Sequence, residues 1–132
     1  MRRILFAAAF AALCTPALAQ EDAFEGVIGR QIEAFRADDF ATAFTFASPG
    51  IQGMFRTPEN FGRMVRQGYP MVWRPESVEF LSARPEGPGW RQEVLVRDGD
   101  GRLHKLAYTM VETAEGWKIA GVQLLRAPEI GV

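Results

Sequence analysis

The stretch from Thr57 to Pro75, TPENFGRMVRQGYPMVWRP, limits the architecture more than any other part of this chain, because one periodicity ends in it and another begins. Thr57 can cap a helix through its hydroxyl, Pro58 suits the first helical position, and Phe61, Met64 and Val65 recur at three-four spacing. Gly68 is expected as a left-handed helix stop. The two prolines of Tyr69-Pro70-Met71-Val72-Trp73-Arg74-Pro75 predict an extended segment crossing from a helical layer to a sheet layer. Upstream of this block the apolar residues follow helical spacing, and downstream they alternate.

In the helical half, Phe24, Ile28, Ile32 and Phe35 form one stripe of an amphipathic helix predicted from Glu21 to about Ala37. Gly26 and Gly29 each cost on the order of 1 kcal/mol relative to alanine, which predicts a close approach to another element. Asp38 or Asp39 is expected to cap a second helix with Phe40, Ala43, Phe44 and Ala47 inward, ended by Ser48-Pro49-Gly50. Ile51 to Phe55 has room for a single helical turn.

In the strand half, Val78, Phe80 and Ser82 alternate with Ser77, Glu79 and Leu81, and Pro85-Glu86-Gly87-Pro88-Gly89 forces a turn. Strands follow at about Trp90 to Arg97, Leu103 to Glu112 and Trp117 to Leu125. If Trp90, Val94 and Val96 share a face with Leu106, Tyr108 and Met110, paired residue numbers must sum to an even value. The loop Gly99-Asp100-Gly101 satisfies this, with glycine at its left-handed position, and sets Val94 opposite Leu106 and Gln92 opposite Tyr108. For the last hairpin the loop Thr113 to Gly116 sets Met110 against Ile119, Tyr108 against Gly121 and Leu106 against Gln123. An inner face with Gln92, Tyr108 and Gln123 around Gly121 follows. On the outer face Leu95, Ala107, Ala120, Val122 and Leu124 would form an apolar patch, for which a homodimer across a two-fold axis is the simplest cover.

The chain of 132 residues is one domain behind an expected leader. Arg2 and Arg3, the apolar run Ile4 to Leu13 and the small-x-small site Ala17-Leu18-Ala19 have the pattern of a signal peptide spanning residues 1–19, with the domain at residues 20–132. The run is too short for a membrane anchor, so a periplasmic or secreted location is expected. Cys14, the single cysteine, leaves with the leader, which excludes disulfides, thiolate metal sites and a cysteine nucleophile from the mature chain. Without Arg2 and Arg3 the 15 basic residues become 13 against 16 acidic ones, a net charge of −3 that argues against nucleic acid as a partner.

Helices followed by a four-stranded antiparallel meander make an α+β layer arrangement. The segment Ala34-Phe35-Arg36-Ala37-Asp38-Asp39-Phe40-Ala41-Thr42-Ala43-Phe44 resembles the helix-break-helix near the start of NTF2-like (SnoaL-like) domains, and Gly116-Trp117-Lys118-Ile119 resembles their closing strand. That likeness implies a cone in which helices cover one face of a curved sheet. The Thr57–Pro75 block together with Leu124-Leu125-Arg126-Ala127-Pro128 resembles the DUF4864 family of secreted bacterial proteins, a likeness covering nearly all of the mature chain and bringing no activity with it.

NTF2-like enzymes place an aspartate or histidine between helices and sheet, and this sequence supplies none on its predicted inner face. His104 reads as a strand-end residue, Asp38 and Asp39 as helix caps, and Glu112 as solvated. Asp98-Gly99-Asp100-Gly101 fails as a calcium loop, since its register puts Val96 and Ala107 at ligand positions. No metal and no cofactor is expected. The candidate ligand-binding residues are Tyr69 and Trp73 at the mouth of a pocket floored by Gln92, Tyr108 and Gln123. The expected function is binding of a small amphipathic ligand or a protein partner; the alternative is an isomerase, cyclase or hydrolase with Tyr108 as proton donor.

Overall fold

The computed structural model describes residues 16–125, with side chains from residue 19. Five helices precede four strands: α1 (Pro16–Arg36), α2 (Phe40–Thr45), α3 (Pro49–Phe55), α4 (Pro58–Gly68) and α5 (Pro70–Trp73), then β1 (Ser77–Glu86), β2 (Gly89–Arg97), β3 (Leu103–Thr113) and β4 (Gly116–Leu125). The sheet is an open antiparallel meander in sequence order, so the α+β class holds, and its likeness to an NTF2-like cone is loose.

Capping chemistry sets the helix starts. Asp39 accepts from Thr42 N at 3.1 Å, Ser48 from Ile51 N at 3.3 Å and Thr57 from Asn60 N at 3.1 Å. Ser48-Pro49-Gly50 therefore opens α3 instead of ending α2, because a serine cap followed by proline at the first position is a start signal. Of the two candidate aspartates, Asp39 is the cap and Asp38 stands in the left-handed region at φ 57°. Gly68 is the last residue of α4 and is absent from the positive-φ glycines, so the expected left-handed stop is not used. Tyr69 to Pro75 is not extended either. Pro70 opens the single turn α5, where its missing N–H would have had no partner anyway.

The stripe Phe24, Ile28, Ile32 and Phe35 of α1 is buried as its spacing predicts, against Ala43, Phe44, Phe61 and Val65 of the other helices and the inner sheet face. Each such side chain contributes roughly 1.5–3 kcal/mol on burial. Phe61 is the hub, with ring centroids 5.2 Å from Phe44 and 5.9 Å from both Phe35 and Phe55. The glycines of α1 do not mark a close approach: nothing lies near Gly29, and only the Arg30 side chain of the same helix lies near Gly26. Among the helix glycines the tight contact is at Gly62, where a Cβ would stand 2.7 Å from the Phe40 ring.

Arginines tie α1 to α5. Arg74 Nη1 donates to Phe35 O at 2.7 Å and Arg36 Nη2 to Pro75 O at 3.0 Å. Asp38 accepts from Trp73 Nε1 at 3.0 Å and from Arg74 Nη2 at 2.9 Å. The Trp73 bond, with help from Arg74, holds the Asp38 carboxyl below the usual range against an opposing desolvation.

Between β2 and β3 the register is the expected one, with Gln92 opposite Tyr108, Val94 opposite Leu106, and Gly101 at φ 84° in the loop. Between β3 and β4 the expectation holds only near the turn, where Met110 faces Ile119. An irregularity beyond that pair then sets Thr109 against Gly121, Tyr108 against Val122, Leu106 against Leu124 and Ala107 against Gln123. One extra residue turns every later side chain over. Val122 and Leu124 thus share the face of Tyr108 and Leu106, and the expected five-residue outer patch does not assemble. Around Glu93 that outer face carries charge instead, with Arg91 at 3.1 Å, Lys105 at 3.4 Å and Arg84 at 3.7 Å. β1 is longer than predicted and has its own irregularity between Phe80 and Ala83.

Candidate functional site

A cavity of about 240 Å³ lies between the helices and β4. Phe35 and Gln31 of α1 form its back, Ile51, Met54 and Phe55 of α3 one wall, Phe61, Met64 and Val65 of α4 another, and Ile119, Gly121 and Val122 of β4 its floor. Tyr69 closes one side and donates its hydroxyl to Val122 O at 3.1 Å, which leaves the oxygen lone pairs able to accept. Gln31, only 3% exposed, donates Nε2 to Ala43 O at 3.2 Å. The walls are otherwise apolar, and among the described residues no carboxylate, histidine or cation lines the cavity. Space exists here because α3 rests on the core only through the partly buried Ile51 and Phe55. None of its residues is fully buried, and Met54 is 68% exposed at the rim.

The five residues expected at a ligand site are dispersed by the fold. Tyr69 lines the cavity. Trp73 does not: its indole lies in the α1–α5 clasp, with the Arg74 guanidinium 4.2 Å from the ring centroid and that of Arg66 at 5.9 Å. Gln92 and Tyr108 do meet across the β2–β3 ladder, but at 1% and 0% exposure they are sealed beneath the cavity and do not line it. Gln123 is exposed opposite Ala107, on the other side of the sheet, because of the β4 irregularity.

Gln92 has a structural task that alternation could not reveal. Its Nε2 donates to Glu93 O at 2.9 Å, Leu81 O at 3.2 Å and Ser82 O at 3.4 Å, the last two being carbonyls of the β1 irregularity. Its Oε1 and the Tyr108 hydroxyl are buried without a hydrogen-bond partner among the described residues. Burial pushes the Tyr108 hydroxyl far above its usual range, because no neighbour stabilises a phenolate.

The remaining polar candidates lie elsewhere. His104 Nε2 and Asp98 Oδ2 are 2.8 Å apart at the β2–β3 hairpin. Asp98 also accepts from Asp100 N and Arg102 N, both at 2.9 Å, and the His104 contact leads these bonds in holding its carboxyl low. Glu112 is exposed. Among the described residues no cluster of His, Cys, Asp and Glu could hold a metal ion, and no helix is long and apolar enough to cross a membrane.

Of the cavity residues the sequence reading missed, Gln31 left a signal. It occupies a place on the apolar stripe of α1, three residues after Ile28 and four before Phe35, where a polar group needs a partner. Met54 left none, since it depends on how α3 stands, and Val122 only an indirect one, the isolated Gly121 beside it. No curated protein and no solved structure matches the chain. The model of one family does, over residues 17–132, and the chain therefore belongs to the family described as domain of unknown function DUF4864.

Proposed function

We propose that residues 20–132 are a periplasmic or secreted binding domain that holds a small amphipathic ligand in the cavity between α3, α4 and β4. The observation that carries this reading is the chemistry of the cavity wall: apolar side chains, a Gln31 carboxamide and the Tyr69 hydroxyl, with no carboxylate or histidine among the described residues to move a proton. The enzymatic alternative needs Tyr108 as a proton donor within reach of substrate. Tyr108 is 0% exposed and absent from the cavity lining, so that reading lacks a route. The location rests on the leader pattern, and amino-terminal sequencing of periplasmic material should begin at Gln20.

Native mass spectrometry of the protein purified from its own host tests the binding reading. The expected result is a small adduct that dissociates on activation and is lost in Met64→Trp, whose larger side chain fills the mouth. A wild-type protein of bare chain mass that also takes up no alcohol or carboxylate of the cavity's size would overturn it.

A further inference from the structure

The cavity does not stop at its mouth. A shallower depression shares Met54, Phe55 and Met64 with it and continues over Asn60, Arg63 and Gln67 of α4. The inner part is apolar and uncharged, while the outer part ends on a guanidinium. Arg63 forms no ion pair among the described residues. Its Nη1 donates to Asn60 Oδ1 at 3.1 Å, which steadies the side chain and leaves Nε and Nη2 free as a fork. Arg63 also borders a second, separate depression lined by Asp38, Asp39 and Glu59, and it forms an ion pair with none of them.

Resting on the ligand-binding reading, we propose that the ligand is a medium-chain monocarboxylate, its alkyl chain in the cavity and its carboxylate on Arg63. Size and charge both point to this class. An apolar cavity of about 150 Å³ accepts benzene, and one methylene occupies roughly the share of a liquid water, about 30 Å³. A volume of about 240 Å³ then takes a chain of about eight carbons. A second charge inside would meet no counter-ion, so a dicarboxylate is excluded and a single anionic end is required. Met54 and Met64 frame the passage between the two parts, and flexible thioether side chains adapt to an alkyl chain without a fixed shape.

Calorimetric titration of the mature protein with octanoate, butyrate and octan-1-ol tests this. One octanoate should bind per chain and butyrate should not. Arg63→Gln should weaken octanoate by roughly tenfold and leave octan-1-ol unchanged, as loss of a charge-assisted fork predicts. Arg66→Gln, one turn along α4 and outside the depression, should change neither. Should Met64→Trp fail to fold, Met54→Trp at the exposed rim replaces it as the blocking variant. If octan-1-ol binds and octanoate binds no better, or Arg63→Gln leaves octanoate unaffected, the carboxylate assignment is overturned while cavity binding stands. If neither compound binds, both readings fall.

Discussion

The same rule of alternation applies to the two β-ladders that flank β3, and they behave differently. Between β2 and β3 the period of two runs unbroken from Trp90–Met110 to Arg97–Leu103, so Val94 and Leu106 lie fully buried opposite one another. Between β3 and β4 the period slips once, and Leu124, opposite the same Leu106, is 45% exposed. The regular ladder supplies the core. The irregular one supplies the cavity floor, because the slip brings Val122 under the helices and carries Gln123 away from them. Alternation counts faces reliably until one residue is added, and thereafter it is wrong for every residue.

The largest test of this contrast is a pair of truncations. Val94→Ala should cost about 2 kcal/mol or more in chemical denaturation, whereas Leu124→Ala should stay within about 0.5 kcal/mol. Similar losses at both positions would mean that the second ladder is packed like the first. Next in size is Gln92→Leu, which removes the donor serving the Leu81 and Ser82 carbonyls and should cost about 1–3 kcal/mol. A neutral result would show that water serves those carbonyls equally well.

Tyr108→Phe should act in the opposite direction. It removes a hydroxyl that is buried and unpartnered, so stability should be unchanged or rise by up to about 1 kcal/mol. A loss above that would reveal a partner for the hydroxyl. The smallest effect separates the two turns by pH. The β2–β3 turn is held by the Asp98 carboxylate, the β3–β4 turn by the Thr113 hydroxyl, which accepts from Glu115 N and donates to Gly116 O. A carboxyl whose folded pKa lies below its unfolded value adds stability above the ordinary carboxylate range and loses it as pH falls through the lower folded value. Acid titration followed by amide NMR should therefore loosen Gly101 and Arg102 before Glu115 and Gly116, and Asp98→Asn should abolish that order.

Much of this fold is written in local chemistry. The Thr57-Pro58 start of α4 and the glycine turn at Gly101 each follow from a single residue's hydrogen bonding or backbone freedom, and the apolar stripe of α1 from the spacing of four side chains. The candidate site was less legible because it depends on departures from regularity. Gly121, beside the β4 irregularity, was the available warning, since an isolated glycine in a strand pattern marks such places. The two prolines predict an extended crossing past Tyr69 and Trp73, whereas a proline at the first helical position permits a helical turn, and α5 turns the Trp73 indole toward Asp38. The cavity itself has no residue code, being the space left when α3, the helix with no buried side chain, spans the gap between α2 and α4.

That property of α3 has a kinetic consequence. A segment with no fully buried side chain, held to the core by the partly buried Ile51 and Phe55, can detach at a fraction of the global unfolding free energy, so its amides should exchange with solvent by local opening while those of β2 and β3 wait for the whole domain to unfold. Entry and exit at the cavity would then be set by the opening rate of α3 alone. Mutations that lower overall stability without touching Ser48, Gln52 or Phe55 should leave those rates where they were.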